Sequence, residues 1–353
     1  MKLPLRCTIF ALVLVLTGCV STKVADSTLD QLVYVPGGTF LQQEVGWDGN
    51  PQQQFTHRIS SFQIGKKPVT YRLWYEVRVW GEAHGYEFGN PGMEVSAGLS
   101  AEAIRDLWPD YPDIGAAPGS AGGTEPVTMI SWRDVFVWLN AYSEFRGLTP
   151  VYYSDVDFKH PVRTSTKAPQ PDLADPDFDV AEYIQRYIRL EHGQEDNPYV
   201  DWSADGFRLP TEGEWMYAAS YIDGDISVPP QLPAGGYDTE GGHIVAAELA
   251  WYSDNAAGKT QPVGLKIPTA IGIHDMSGNV AEMVWDFSAA YPDTPQQDYR
   301  GPGHGINRIV KGGAWSSDLW SLSIGIRVGS SPLSMGPDGG FRVARNVATA
   351  DEE

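Results

Sequence analysis

Few stretches of the chain have the apolar spacing of a regular element, and most of these lie in its first two thirds. The segment LVYVPGGTF, residues 32–40, has the apolar pattern of a strand that ends in a Gly-Gly turn. Leu73, Val77 and Trp80 then recur at the spacing of one helix face, after a proline turn. The pattern therefore predicts a strand followed by a helix at the start of the fold.

Two further helices are predicted from their N-terminal residues. Ser131 is a favoured N-cap, Asp134 lies in the first turn, and apolar residues recur from there until the chain reaches Gly147. Thr211 and Glu214 have the spacing of a capping box ahead of an apolar run. Both segments are therefore predicted to be helices.

The rest of the chain has weaker periodicity. Residues 162–200 are acidic and proline-rich, which predicts an inserted surface excursion with one short helix around residues 183–190. From Gly235 onward, short apolar pieces broken by Gly, Asn, Asp and Pro predict loops and short strands. No internal repeat or long linker divides the chain, so we expect one domain over residues 32–348.

The composition suits a folded protein and excludes one class of partner. Of the 353 residues, 42% are hydrophobic and 12% are aromatic, which is enough apolar material for a sizeable core. The 45 acidic residues outnumber the 25 basic ones, so the formal net charge is -20. Such a surface repels a phosphate backbone, and we expect no nucleic acid partner.

The N-terminus has the features of an export signal. Lys2 and Arg6 precede an apolar run that is too short to span a bilayer, and the segment closes with LTGC at residues 16–19. LTGC resembles the lipobox of bacterial lipoproteins, in which the signal is cut before the cysteine and that cysteine receives lipid. The resemblance implies that residues 1–18 are a signal peptide and that Cys19 is lipidated. The alternative is an ordinary secretory signal in which Cys19 is incidental.

The residues from Cys19 onward bear on location and on thiol chemistry. Residues 19–31 are mostly polar and predict a short tether between lipid and fold. By resemblance to enteric sorting rules, Val20 favours the outer membrane, so we expect a lipid-anchored protein of the bacterial cell envelope. No cysteine follows Cys19, which excludes an internal disulfide and a catalytic or metal-binding thiol in the domain.

Five segments carry a resemblance to a known family. In chain order they are LVYVPGGTF, GFRLPTEGEW, QPVGLKIPTAIGIHDMSGNVAEMVWD, IVKGGAW and GGFRVAR. Together they resemble the sulfatase-modifying-factor family, whose founding activity is that of the formylglycine-generating enzyme. The resemblance implies an α+β fold of the C-type lectin-like, formylglycine-generating-enzyme type. Such a fold is loop-rich and has two main helices with small antiparallel sheets.

The chain lacks the metal-binding residues of the family's enzymes. The formylglycine-generating enzyme binds copper through a pair of cysteines after its Gly-Gly motif, and Leu322 and Ile324 lie about where those thiols would fall. Other members are iron-dependent and use a three-histidine site, whereas the seven histidines here show no paired helical spacing. We therefore expect neither copper nor iron, and formylglycine generation is not expected.

A third branch of the family, the variable-protein type of bacterial lipoprotein, matches the frame of the C-terminal region. In that branch, conserved motifs enclose two runs that a retroelement diversifies. Lys311 to Trp315, Arg327, and Gly340 to Val343 form the same frame here. The alternative is that residues 316–338 are an ordinary loop surface of a non-variable homologue. Both interpretations predict one ligand-binding face, made of Trp315, Ser316, Ser317, Asp318, Trp320, Ser321, Ser323, Ile326, Val328, Ser330, Ser331, Ser334 and Asp338.

Two other motifs have expected roles. DMSGNVAEMVWD resembles the family's calcium-binding turn, in which Asn279 and Glu282 match the side-chain ligands. The alternative is a helical turn in which Gly278 adopts a positive φ and Glu282 bonds backbone amides. Arg208 and Arg342 lie inside apolar motifs and are predicted to be buried structural guanidiniums that bond carbonyls.

The leading functional hypothesis is a non-catalytic, surface-displayed lipoprotein that binds a ligand with its C-terminal face. Its partner would be an unknown protein or another cell-surface ligand, and its contact with the membrane would be through the N-terminal lipid. The alternatives are an enzyme-like maturation factor for secreted products and a structural envelope lipoprotein of the same family. A lectin-like fold does not by itself imply sugar binding.

Overall fold

The computed structural model describes most of the predicted domain, namely residues 31–94, 114–119, 122–169, 177–224, 226–236 and 245–347. The predicted signal, Cys19 and the tether up to residue 30 lie outside the described residues. No helix within the described ranges is long and apolar enough to cross a membrane.

The helices begin where their capping residues predict. Thr70 accepts a hydrogen bond from a first-turn N–H of the first helix. Ser131 with Asp134, and Thr211 with Glu214, each form a capping box, so both predictions are confirmed. The helices of the described residues are α1 (Tyr71–Ala83), α2 (Trp132–Phe145), α3 (Val180–Tyr187), α4 (Glu212–Ser220) and α5 (Ala246–Leu249).

From Gly235 onward the strands are short, as the broken apolar pattern predicts, whereas β2 and β3 near the N-terminus have eight and nine residues. Before α4 the strands are β1 (Leu32–Val35), β2 (Gly38–Val45), β3 (Pro51–Ile59), β4 (Phe62–Gly65), β5 (Tyr152–Tyr153), β6 (Tyr199–Val200) and β7 (Phe207–Arg208). After α4 they are β8 (Tyr221–Asp223), β9 (Ile226–Ser227), β10 (Ala281–Phe287), β11 (Gln296–Gln297), β12 (Arg308–Lys311), β13 (Val328–Ser330), β14 (Gly339–Phe341) and β15 (Ala344–Asn346).

The strands assemble into several small sheets. Two have four strands, in the orders β1-β4-β15-β7 and β13-β12-β10-β14, and a third has the order β11-β3-β2. Most pairings are antiparallel, as the resemblance implies, but β10 pairs with β14 and β11 pairs with β3 in parallel. The chain between each parallel pair is long enough for a crossover, which a parallel pairing requires.

Two hydrophobic cores lie on either side of these sheets. In the first, the indoles of Trp74 of α1 and Trp138 of α2 stack with ring centroids 5.5 Å apart, and Phe341 packs edge-on against both. The Trp138 indole N–H donates to the Trp74 carbonyl at 3.0 Å, which satisfies its polar atom inside the core. The second core surrounds Trp215 of α4 and includes Ile309 of β12.

The acidic insertion at residues 162–200 is not wholly a solvated excursion. Its helix α3 begins at Val180, earlier than predicted, because Asp179 accepts hydrogen bonds from first-turn N–H groups. Near its end Asp196 is fully buried, and the guanidinium of Arg133 in α2 donates to its two oxygens at 2.7 Å each. This bidentate pair ties the insertion to the first core, a contact that acidic composition alone did not reveal.

The prediction of two buried structural arginines is confirmed. Arg208 donates to both oxygens of Glu214 at 2.7 Å, which binds β7 to the N-terminus of α4. Arg342 is fully buried, donates to both oxygens of Glu282 in β10, and also donates to the Gly65 carbonyl at 2.8 Å. Arg342 therefore joins elements that are distant in the sequence, and Arg208 does so through the Asn346 side chain of β15, to which it donates at 2.9 Å.

Replacing Arg342 with methionine should destabilise the fold strongly. The change leaves Glu282 buried without its partner, and breaking one side of a buried pair costs about 3–5 kcal/mol. The free energy of unfolding from urea titration measures this cost. Arg345→Met, in strand β15, is the matched control, because Arg345 is half-buried and bonds a backbone carbonyl. Equal losses in the two variants would contradict the role assigned to the buried pair.

Candidate ligand-binding cleft

Gly312 and Gly313 set the path of the C-terminal loop segment, residues 314–339. Both have a positive φ, of 86° and 66°. A Cβ on Gly312 would lie 2.7 Å from the Met276 carbonyl oxygen, and one on Gly313 would lie 2.8 Å from that of Ser321. Only glycine fits at either position, so the backbone direction does not depend on the side chains that follow.

A cleft of about 430 Å³ is lined by the C-terminal loop segment, which includes β13, and by strands β10 and β12 of the same sheet. Apolar side chains of the sheet and of α2 line part of it, including Met283, Val310 and Trp132. Serine hydroxyls and glycine backbone from the loop segment line much of the rest. The predicted ligand-binding residues in the lining are Ser317, Ser321, Ile326, Val328, Ser330, Ser334 and Asp338.

Two of the predicted residues form hydrogen bonds between the start and the end of the C-terminal loop segment. The Trp315 indole N–H donates to the Pro337 carbonyl at 3.1 Å. The Ser316 hydroxyl donates to a carboxylate oxygen of Asp338 at 3.0 Å. The start of the segment is therefore held against its end, and both residues lie beside the cleft lining.

The remaining predicted residues divide between surface and core. Asp318 and Trp320 are exposed and Ser331 is half-buried, all outside the lining. Ser323 is only 3% exposed, and its hydroxyl donates to the Gln231 carbonyl at 2.9 Å. The prediction that Ser323 faces the ligand is therefore wrong, because this residue anchors the segment to an earlier loop.

Several lining residues come from parts of the chain that the sequence analysis did not single out. Trp47, in the turn between β2 and β3, lines the cleft and is 61% exposed. Its signal was a tryptophan inside the turn VGWDGN, where a large apolar side chain has no core to enter. Trp132 and Met283 gave no such signal, because each lies in an apolar segment whose pattern predicts an ordinary core residue.

A buried charged cluster supports the β13 side of the cleft. Arg327, directly before β13, donates to both oxygens of Glu212 at 2.9 Å, and the Tyr291 hydroxyl donates to the same carboxylate at 3.0 Å. The Lys311 ammonium donates to the Ile326 carbonyl at 2.6 Å and lies 3.8 Å from Glu212. Burial lowers the pKa of Lys311 to about 8.

Asp286 completes the charged cluster from β10. Its carboxyl accepts a hydrogen bond from the Glu212 backbone N–H at 2.7 Å, at the start of α4. Burial, and then the nearby Glu212 carboxylate, raise the pKa of Asp286 to about 8. The cluster therefore holds a neutral carboxyl at neutral pH, which lets two acidic side chains share a buried space.

The family follows from comparison of this chain with known families. The model of the sulfatase-modifying factor enzyme 1-like domain matches residues 19–347. The chain belongs to this family. The α+β architecture with few helices and small sheets is that of its formylglycine-generating-enzyme type, as the five motifs predicted.

Individual relatives of this family member differ in function. A Paenibacillus barcinonensis protein named chaperone protein LppX is 26% identical over 96% of this chain and 98% of its own. The Streptomyces coelicolor formylglycine-generating enzyme is 31% identical over 42% of this chain and about half of its own, 49%. Among solved structures, Treponema denticola variable protein 1 superposes with a TM-score of 0.60 at 28% identity, over 90% of this chain and 95% of its own.

The positions predicted to correspond to the enzyme's thiols serve as core in this family member. Leu322 ends a short 3₁₀ turn and is fully buried, and Ile324 packs in the second core. Among the described residues, no group of three or more His, Cys, Asp or Glu side chains is placed to hold a metal ion. The loop segment thus contributes apolar anchors at the two positions that the resemblance predicts to match the cysteines.

The turn expected to bind calcium is held by bonds within the protein. Gly278 has a φ of 76°, as one interpretation required, but Glu282 does not bond backbone amides. Its carboxylate instead accepts from the Trp215 indole N–H at 2.7 Å and from Arg342. The Asn279 side-chain amide donates to the Gln261 carbonyl and accepts from the Gln261 N–H, both at 3.0 Å. Because the side-chain oxygens of Asn279 and Glu282 already accept hydrogen bonds from protein groups, they do not form a cation site in this arrangement. Calcium binding stays a prediction that rests on the resemblance alone.

Replacing Asp286 with asparagine should flatten the pH dependence of stability. The pKa of this carboxyl is higher in the folded state than in the unfolded chain, so its contribution is full below about pH 4 and is lost as pH rises towards 8. Asparagine cannot ionise, so the variant should lose less free energy of unfolding between pH 5 and pH 8. Asp254→Asn, at an exposed site, serves as control. Parallel curves for Asp286→Asn and wild type would contradict the assigned pKa.

Proposed function

We propose that this protein is a non-catalytic, ligand-binding lipoprotein of the bacterial cell envelope and that its ligand occupies the cleft. The observation that carries this proposal is the cleft lining. The C-terminal loop segment, whose path is set by glycines, presents hydroxyl and aliphatic side chains to an apolar floor. Concave sites with an apolar floor and a few polar groups are typical ligand sites.

The chemistry of the lining favours a neutral ligand, because the lining holds one carboxylate, of Asp338, and one ammonium, of Lys311. The serine hydroxyls can donate and accept hydrogen bonds, and Asp338 contributes a carboxylate. The exposed ring of Trp47 offers a flat apolar surface at the rim, of the kind that anchors ligands. Leu322 and Ile324 offer no redox or nucleophilic group, which supports recognition without chemistry.

We further propose that Cys19 carries lipid and that the protein is displayed from the outer membrane. The LTGC motif at the end of the apolar run supports the lipid anchor. Placing the domain outside the bilayer on a short tether would leave the cleft open to partners in the periplasm or beyond the cell. Calcium is not needed in this proposal.

Filling the cleft should abolish ligand binding without unfolding the protein. Ser330→Trp places an indole in the cleft, and Ser203→Trp is the control, because Ser203 is exposed and bonds only the neighbouring Asp201. Both proteins are probed on arrays of peptides and of oligosaccharides, together with wild type. We expect wild type and Ser203→Trp to share bound probes that Ser330→Trp loses at least tenfold. Retention of those probes by Ser330→Trp would show that the ligand binds elsewhere.

The variable-protein interpretation makes a separate prediction about isolates. The likeness to Treponema denticola variable protein 1 over most of both chains supports it. Genes from several isolates should differ at Ser317, Ser321, Ser330 and Ser334, which line the cleft, while Gly312 and Gly313 stay fixed. A nearby template repeat that differs only at adenines would accompany them. Identical sequences over residues 316–338 would leave a fixed binding protein.

A maturation role is the second candidate, because the Paenibacillus relative that matches almost end to end is named a chaperone. In that case the cleft would receive an extended segment of a client polypeptide. Crosslinking of the intact protein in cells, followed by purification, separates the two candidates. A secreted client captured during export supports maturation, whereas a ligand captured only after display supports the binding function.

A further inference from the structure

A second surface, which shares no residue with the charged cluster, combines lysines with exposed aliphatic side chains. Two sequence segments form it, GKKP at residues 65–68 and GLKIP at residues 264–268. Leu265 is 63% exposed and Ile267 is 43% exposed. We call the surface made of Lys66, Lys67, Leu265, Lys266 and Ile267 the basic face.

The contacts between the two segments show that the basic face is continuous. The His274 ring bonds the Lys266 carbonyl at 2.9 Å, while the His274 backbone N–H donates to the Lys66 carbonyl at 2.8 Å. The Lys67 side chain lies against Gly264, where a Cβ would come within 2.6 Å of the ammonium. The five residues therefore form one patch rather than two.

A groove of about 490 Å³ opens beside the basic face, and Lys66 and Lys67 form part of its lining. The lining also includes Arg72 and apolar residues such as Leu73 and Val263, and none of the described lining residues is acidic. Glu248 and Asp275 are acidic neighbours of this face: the Glu248 backbone carbonyl accepts from the Ile267 N–H at 3.0 Å, and the Asp275 carboxyl accepts from the Gly264 N–H at 2.6 Å. In a chain whose net charge is -20, such a concentration of cations indicates an anionic partner.

The chain enters the fold at this same face. Gln31 is the first described residue, its carbonyl accepts a hydrogen bond from the Lys66 N–H at 2.8 Å, and it lines the groove. The twelve residues from Cys19 to Asp30 can span at most ~40 Å when fully extended. A lipid on Cys19 would therefore keep the basic face within a few tens of ångströms of the bilayer.

From this geometry we propose that the basic face docks on an anionic lipid bilayer, with Leu265 and Ile267 in the interfacial region and the ammonium groups of Lys66 and Lys67 against lipid phosphates. The Lys266 ammonium is held by the Ala247 carbonyl and lies 3.7 Å from the centroid of the Trp251 ring. Lysines beside exposed aliphatic side chains are the pattern by which proteins lie on anionic membranes. The proposal rests on the lipid anchor of the proposed function for its orientation. It fixes which side of the domain faces the membrane.

The test places a fluorophore at single cysteines. Leu265→Cys reports the basic face. Val156→Cys is the matched control, because Val156 is 66% exposed, like Leu265, but lies elsewhere. Arg163, which follows its loop, donates to the carbonyl of His84 at the C-terminal end of α1, whereas the groove lies at the N-terminal end of that helix. Each full-length protein is expressed with its signal, labelled with an environment-sensitive dye, and reconstituted in phosphatidylethanolamine vesicles with or without phosphatidylglycerol.

We expect a blue shift of the dye at position 265 only, and a larger shift when the vesicles contain phosphatidylglycerol. Lys67→Glu should lower the affinity of the protein for these vesicles about tenfold. A second arm uses versions of the same proteins with both Cys7→Ser and Cys19→Ser, so that the dye site is the single cysteine, mixed with the same vesicles at millimolar lipid. A blue shift at position 265 in that arm supports docking by the basic face. If the wild-type protein does not float with the vesicles on centrifugation, that result contradicts only the lipid anchor. Water-like emission at position 265 in both arms, or a shift without vesicles that grows with protein concentration, would overturn the proposal.

Discussion

The buried pair of Arg342 and Glu282 is the interaction on which the rest of this fold depends. Glu282 lies on β10 beside the cleft, and its carboxylate also accepts the indole N–H of Trp215 in α4. Arg342 reaches the carbonyls of Gly65 and His274. One ionic node thus connects the cleft sheet, helix α4, strand β4 and the loop that contains His274. A domain with little regular structure needs such nodes, because hydrogen bonds within helices and sheets fix only part of its backbone.

The sequence indicated the elements whose signals are local. The capping residues Ser131 and Thr211 lie within a few positions of the helices that they begin, so their patterns could be read directly. The burial of Asp196 could not, because its partner Arg133 is distant in the sequence and an acidic, proline-rich segment looks solvated. The parallel pairing of β10 with β14 was hidden for the same reason, since strand register is set by tertiary contacts.

The candidate site shows the same division between local and distant information. The Gly-Gly motif and the serines of the loop segment marked half of the cleft correctly, whereas Ser323 looked identical to its neighbours and is buried. The opposite wall, which includes Met283 and Trp132, has the composition of any core. Only the three-dimensional fold shows that no other element packs fully over these side chains, so that a cleft remains above them. Distinguishing the buried apolar floor of a cleft from a filled core needs coordinates.

The bonds from Trp315 to Pro337 and from Ser316 to Asp338 have a consequence for how this surface can change. They cross-link the first and last residues of the loop segment, so positions 316 and 338 form a pair. A substitution at one that removes the hydrogen bond alters the environment of the other. Variation in the two halves of the segment is therefore coupled: a library built on this scaffold would sample more folded members if these two positions were changed together.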